Sequence, residues 1–262
     1  MIDRATWRQL AVLAAGLFVA TRALGPMLTR WESTGWGDCG SFPHLWDCGG
    51  VAVERHGEVS LWDPHHCGGV SLWGQPQNQI YAPTWWITGL AFGTEVGHKL
   101  FVLLHFVVGF AGLFRAARRL YGASPPAAAL SALAWAFGGY FAWRAAGGHA
   151  TFLAFHYLPW ILLCWRRAHE APRYAVPVAL WMTLVLLEGG TYAFPLSFLF
   201  LGVDSLASLA ARRWAVLRTA LLAAPLTALL GAIRLVPIAR ILERFPRQTR
   251  LEDAQSFEAL LE

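Results

Sequence analysis

Lysine is almost missing from this chain of 262 residues. Lys99 is the only one, so 20 of the 21 basic residues are arginine. Charge of either sign is scarce at 14%, against roughly 25% in a soluble domain. That deficit argues against an ordinary soluble domain and leaves lipid to solvate much of the surface. A net charge of +5 is no sign of nucleic acid here. The arginines fall in short clusters between apolar runs, which suits membrane topology better than a basic groove. No nucleic-acid partner is therefore expected. The chain also lacks an internal repeat of roughly 20–50 residues, a low-complexity tract, and any Rossmann, Walker or zinc-finger motif.

What is present is apolar. Hydrophobic residues make up 56% and the mean hydropathy is +0.43. Crossing the hydrocarbon core takes about 20 apolar residues per helix. Seven runs of roughly that kind occur, at about 8–27, 97–114, 126–143, 150–165, 174–190, 193–211 and 219–238. The fourth is short. The fifth and sixth are separated only by Glu188-Gly189-Gly190-Thr191 and could form one re-entrant unit, giving six. The reading is an all-α, polytopic helical bundle in one domain over 1–262. It has a long first loop over 28–96 and an amphipathic tail over 239–262. Arg4 and Arg8 precede Leu10 to Ala20, and Arg22 stands where a small-residue cleavage site would be needed. That pattern reads as an uncleaved signal anchor.

Arginine placement orients the bundle. With the N-terminus cytoplasmic, Arg115, Arg118, Arg119, Arg166, Arg167, Arg173, Arg212, Arg213 and Arg218 join Arg4 and Arg8 on the inner side, as the positive-inside rule requires. The first large loop then lies outside, with the turns at Gly147-Gly148-His149 and Gly189-Gly190. Arg240, Arg244, Arg247 and Arg250 run against the pattern, which puts the last span or the tail in question.

The segment from Trp31 to Trp86 carries the chemistry. It holds seven of the 14 tryptophans and three of the 4 cysteines, and a loop this long and polar is commonly the working part. Phe42 to Arg55 reads as an interfacial amphipathic helix, and Tyr81 to Phe92 as a second interfacial segment. Asp38, between Gly37 and Gly40, is a candidate general base at a membrane surface; the plainer alternative is a helix-capping turn residue. Asp63, in Leu61-Trp62-Asp63-Pro64, is weaker, because Asp-Pro commonly starts a turn. Tryptophans such as Trp62 could stack on sugar rings or simply belong to the interface belt.

Asp38, Cys39, His44, Asp47, Cys48, His56, His65, His66 and Cys67 resemble a ligand list, but their spacing fits no zinc module. A tetrahedral metal or redox site built on Cys39, Cys48, Cys67 and nearby histidines is a minor alternative, and no metal ligand is assigned. One disulfide among Cys39, Cys48 and Cys67 is the competing reading, and Cys164 reads as a buried thiol. Arg22, Arg144 and Arg234, near the outer span ends, suit a lipid phosphate, with snorkelling as the alternative. Glu188, Asp204 and His149 are ionisable groups in or beside spans, where such groups are costly and often functional. His105 and His156 read as packed residues.

Several motifs, taken in order, resemble a known family. Gly57-Glu58-Val59-Ser60-Leu61-Trp62-Asp63-Pro64, Gly68-Gly69, Gln75-Pro76-Gln77-Asn78 and Tyr81-Ala82-Pro83 resemble the first external loop of YfhO-like bacterial membrane proteins. Arg118-Arg119-Leu120-Tyr121-Gly122, Ala134-Trp135-Ala136-Phe137-Gly138-Gly139, and Gly148-His149 with Leu158-Pro159-Trp160 resemble that family's later turns and spans. The ordered matches cover about residues 37–165. The resemblance implies a GT-C glycosyltransferase of the bacterial inner membrane, taking sugar from a polyprenyl-phosphate donor to an envelope acceptor on the outer face. It also places the catalytic carboxylate at Asp38; the residues read above and in these motifs then supply the expected substrate contacts, Arg22, Arg144, Arg234, His149, Trp62, Asp63, Gln77, Asn78 and Glu188. A divalent metal, Mg or Mn, would help to neutralise the phosphate.

The chain departs from the family in two places. Asp63 stands where the family has Asn, and Glu188-Gly189-Gly190-Thr191 replaces Gly-His-Pro-Gln. Family members are also longer, which implies a truncated chain or a separate C-terminal half. The competing reading is a non-catalytic polytopic protein, either a glycolipid binder, an assembly partner or an inactive fragment.

Overall fold

A computed structural model describes residues 41–245, Cys67 excepted, and isolated helical positions before them at Trp7, Ala11, Ala14, Ala15, Phe18, Arg22 and Gly25. Asp38 and the tail beyond Phe245 lie outside the described residues, as does the first expected span apart from those positions.

The fold is all-α, with one two-residue ladder. Helix α1 (Ser41–His56) is followed by β1 (Trp62–Asp63) and β2 (Val70–Ser71), then α2 (Pro83–Phe92) and the long α3 (Thr94–Leu120). Next come α4 (Pro125–Ala136), α5 (Gly139–Ala146), a 3-10 helix (Ala150–Tyr157) and α6 (Leu158–Ala168). A 3-10 turn (Pro172–Tyr174) leads to α7 (Ala175–Leu187), α8 (Ala193–Ala210), α9 (Trp214–Leu230) and α10 (Ala232–Arg244). The strands pair antiparallel, Trp62 with Ser71 and Asp63 with Val70.

Among the described residues two helices, α3 and α8, are long and apolar enough to cross a membrane; counting the bent pair α9–α10 as one span makes three. The protein is thus a membrane protein by its helices. Lipid-type surface is conspicuous on α8, where Leu196, Phe198, Leu199, Phe200, Val203 and Leu206 are all exposed. An apolar stripe turned outward is what a lipid-facing helix presents.

Helix α3 is the pillar. It packs against α2, α4, α6 and the 3-10 helix. Gly112 lets α6 come close, since a Cβ there would lie 2.6 Å from Trp160 Nε1. The indole instead donates to the Val108 carbonyl at 3.0 Å. One core joins the loop to α3 through Trp46, Leu72, Ile80, Trp85, Phe101 and Phe106. A second joins α6, α7, α8 and α9 through Tyr157, Ile161, Trp165, Met182, Leu201 and Val216.

The chain runs back and forth between two ends. Arg118 of α3 donates to Ala123 O before α4 turns back, and α4–α5 returns to Arg144. Arg167 sits over Tyr174 before α7 starts, and α7 brings Glu188 to the loop. Trp165 on α6 donates to Asp204 Oδ2 on α8 at 2.8 Å, so Asp204 bonds across helices.

Three expected spans are interrupted. The run at 126–143 breaks between α4 and α5, at Gly138. The run at 150–165 starts as a 3-10 helix and becomes α-helical only at Leu158, where Pro159 fits a first turn. The run at 219–238 ends at Leu230, and the chain bends 73° into α10. Helix α10 then lies against the loop, where a Cβ on Gly74 would meet Pro237 O at 3.1 Å. Its arginines therefore belong to a helix turned away from the direction of α9.

Candidate functional site

The loop between α1 and α2 is folded onto the bundle by side-chain amides. Asn78 Nδ2 donates to Leu72 O at 2.9 Å, and its Oδ1 accepts from Ile80 N–H at 3.0 Å. Gln79 Oε1 accepts from the Trp46 indole at 3.2 Å while its Nε2 donates to Glu188 O at 3.0 Å. Both amides are buried, and both are hydrogen-bonded, as burial demands.

Arg234 clamps the same loop from α10. Its guanidinium donates to the carbonyls of Trp73, Gln75, Pro76 and Asn78 at 2.9–3.3 Å and lies 5.0 Å from the Tyr81 ring centre. It is fully buried. Expected as a phosphate contact, Arg234 is committed to peptide carbonyls, and its place in the fold is that of a strut.

Glu188 closes α7 beneath the loop. The Thr84 and Tyr157 hydroxyls both donate to its Oε1, the latter at 3.3 Å. Its Oε2 has no hydrogen-bond partner and lies 3.8 Å from His105 Nε2. His105 Nδ1 is 2.9 Å from the Phe101 carbonyl, which can only accept, so that nitrogen carries the hydrogen. Glu188 is wholly buried and surrounded by protein.

Arg144 has a different setting. It is half-buried at the end of α5. Its guanidinium carbon lies 4.0 Å from the Phe152 ring centre, 4.9 Å from Trp143 and 5.3 Å from Tyr140. His149 Nδ1 is 3.2 Å from its Nη1. Tyr192, from the turn after α7, stacks on Phe152 at 4.8 Å, so this cluster shares the loop's end of the bundle. Tyr140 also lines an apolar cavity of about 380 Å³ with Ala134, Trp135, Gly138, Phe141 and Phe155.

A third group joins α1 to the ladder. His44 and Cys48 are one helical turn apart on α1 and so share a face. Asp63 of β1 lies opposite, with Oδ2 3.0 Å from His44 Nε2. Cys48 Sγ is 3.6 Å from the same nitrogen. Asp63 is fully buried, and its Oδ1 accepts from His65 N–H at 2.8 Å. Burial pushes its carboxyl up, but that amide and the His44 ring outweigh it and hold it below the ordinary value. Burial and then the Asp63 charge push the Cys48 thiol up to about 11. Cys48 is a free thiol, so the expected loop disulfide does not include it. Cys39 and Cys67 lie outside the described residues.

The expected contacts thus divide. Asp63, Asn78, Glu188 and Arg234 are buried with partners inside the protein. Trp62 is exposed, while Gln77, Arg144 and His149 are partly exposed. Arg22 is an exposed helical position, and the neighbourhood of Asp38 is not described. Sequence reasoning missed Thr84, Gln79 and Tyr157 around Glu188, for which no local signal exists. It also missed the pairing of Asp63 with His44 and Cys48, although the four-residue spacing on α1 was available. No family model matches the chain, and neither does any curated protein or any solved structure.

Proposed function

We propose that this chain is a membrane glycosyltransferase of the GT-C kind, similar to YfhO-like proteins. It would use a polyprenyl-phosphate sugar and act on an envelope acceptor at the outer face of a bacterial inner membrane. The observation that carries this reading is the Arg144 cluster. A guanidinium with a neighbouring imidazole sits on three aromatic rings, and one of those rings also lines an apolar cavity. A lipid phosphate needs both chemistries side by side, a bidentate cation for the head and apolar surface for the tail. Exposed Trp62 and Trp73 offer faces for sugar rings. Helices α3 and α8, with the bent pair α9–α10 as a third, are long and apolar enough to cross a membrane; the seven-span topology with a cytoplasmic N-terminus is part of the proposal and rests on the pattern of apolar runs and arginines in the sequence.

In the reaction Asp38 takes the proton of an acceptor hydroxyl. That oxygen bonds to the anomeric carbon from the face opposite the phosphate. The bond from the carbon to the phosphate oxygen breaks, and the electron pair leaves with the lipid phosphate. Arg144, with Arg22, meets the growing negative charge, the role in which a fixed cation lowers a barrier most. No oxygen-rich donor set of the kind Mg and Mn take is assembled among the described residues, so no step runs through such an ion. Arg234, Glu188, Asn78 and Asp63 hold the loop in place.

The test is transfer of labelled sugar from a panel of polyprenyl-phosphate donors by membranes containing the chain, beside Asp38→Asn and Arg144→Ala. Asp38→Asn should lose transfer by about 10²-fold or more, with insertion unchanged. Full activity in that variant would remove Asp38 from the mechanism. Donor binding without turnover, unchanged by Asp38→Asn, would instead make the protein a glycolipid binder.

A further inference from the structure

We propose that His44, Cys48 and Asp63 form a zinc-class metal site that ties α1 to the loop ladder. The site rests on geometry and is independent of any transferase activity. The three donor atoms, an imidazole nitrogen, a thiol sulfur and a carboxylate oxygen, all lie within 4.8 Å of one another. A tetrahedral zinc with bonds of ordinary length puts nitrogen and sulfur about 3.6 Å apart and nitrogen and oxygen about 3.3 Å apart. The observed separations are 3.6 Å and 3.0 Å. The nitrogen thus stands close to its place relative to both partners, while sulfur and oxygen, within 4.8 Å of each other, would close towards about 3.6 Å to share one ion.

The supporting shell fits as well. The free oxygen of Asp63 is fixed by the His65 amide, an outer contact of the kind that orients metal ligands. Asp47, one residue before Cys48, adds negative charge near the thiol. The donors are mixed nitrogen, sulfur and oxygen, which selects zinc or cobalt over magnesium and calcium. The scaffold is also suitable, since His44 and Cys48 lie one turn apart on a 16-residue helix while Asp63 is held in the ladder. Three protein ligands leave a fourth tetrahedral position for water or another ligand. His44 is about one-third exposed, so an ion can reach the site from solvent. Zinc would form its bond to sulfur with loss of the thiol proton to solvent.

The experiment uses the whole chain in detergent, stripped with a chelator and titrated with cobalt(II). One equivalent should bind and give a thiolate-to-cobalt charge-transfer band with the strong visible absorption of a tetrahedral ion. Cys48→Ser should abolish the charge-transfer band, and Cys164→Ala should leave it intact. His44→Ala and Asp63→Asn should each weaken binding at least tenfold, the low end of the cost of losing even an outer-shell partner. Because Asp63→Asn could disturb the loop, zinc protection of Cys48 from alkylation is measured on the unaltered chain, and strong protection is expected. No charge-transfer band at one equivalent, a band that survives Cys48→Ser, or a Cys48 that alkylates equally fast with and without zinc would each overturn the site.

Discussion

Gly189 shows how one backbone position fixes a loop more than a hundred residues away in sequence. Its φ is +70°, a region that costs a non-glycine residue about 1–3 kcal/mol. A Cβ there would also lie 2.6 Å from the Gln77 carbonyl oxygen, and backbone cannot swing aside as a side-chain tip can. Gly189→Ala should therefore destabilise the protein by about 1–3 kcal/mol and open the 73–80 segment to proteolysis. Gly50 is the control, because it is helical with nothing within 4 Å of its would-be Cβ; Gly50→Ala should be neutral or stabilising by up to about 1 kcal/mol. Thermal unfolding in detergent compares them, and equal midpoints would show that Gln77 does not press on Gly189. The sequence drew attention to Glu188-Gly189-Gly190-Thr191 as a polar interruption between apolar runs. It could not show what that interruption meets, since the bond from Gln79 to Glu188 spans 109 positions. Asp63 was legible as a turn carboxylate, yet its partner His44 lies 19 residues back on α1.

At the level of elements, periodic apolar stretches were the readable part. The helix expected at Phe42 to Arg55 is α1, the segment expected at Tyr81 to Phe92 is α2, and the run at 193–211 is α8. The breaks were harder to read, because a mean of apolar residues does not register where hydrogen bonding changes from one helix to the next. Gly138-Gly139 and Leu158-Pro159 mark two of those breaks in hindsight. At Gly231 the reason is tertiary, for the loop carbonyls hold Arg234 and with it α10. Helix α8 allows the cleanest test of the membrane assignment. Leu199, near its middle, is 60% exposed on the apolar stripe. Arginine near a membrane helix centre costs about 2.5–3.5 kcal/mol of insertion free energy. Leu199→Arg should therefore lower the inserted fraction of α8 sharply in a translocon assay, whereas Leu199→Phe should not. Equal insertion of both would mean that this face meets protein or water rather than lipid.

For the whole molecule the question is which end faces which side. Helix α3 has 27 residues, about 40 Å at the usual rise, and so exceeds a hydrocarbon core of about 30 Å. Its first turn lies by the loop, and its last carries Arg118 and Arg119. The loop, Glu188, Arg234 and the Arg144 cluster gather at one end, joined by the contacts of Gln79, Asn78 and Tyr192. Arg118, Arg166 and Arg167 lie towards the other. That separation fits the positive-inside bias, since clustered arginines resist translocation while the segment between α1 and α2 has no lysine or arginine. Single cysteines at Glu58, Ser124, Glu170 and Tyr192, all exposed positions, placed in a chain with its native cysteines changed to serine, decide the matter. An impermeant thiol reagent added to intact cells should label Glu58→Cys and Tyr192→Cys, and should reach Ser124→Cys and Glu170→Cys only after the membrane is opened. The reverse pattern would turn the loop and the Arg144 cluster towards the cytoplasm, away from any outer-face donor. Labelling of all four from one side would mean that α3 does not cross the membrane at all.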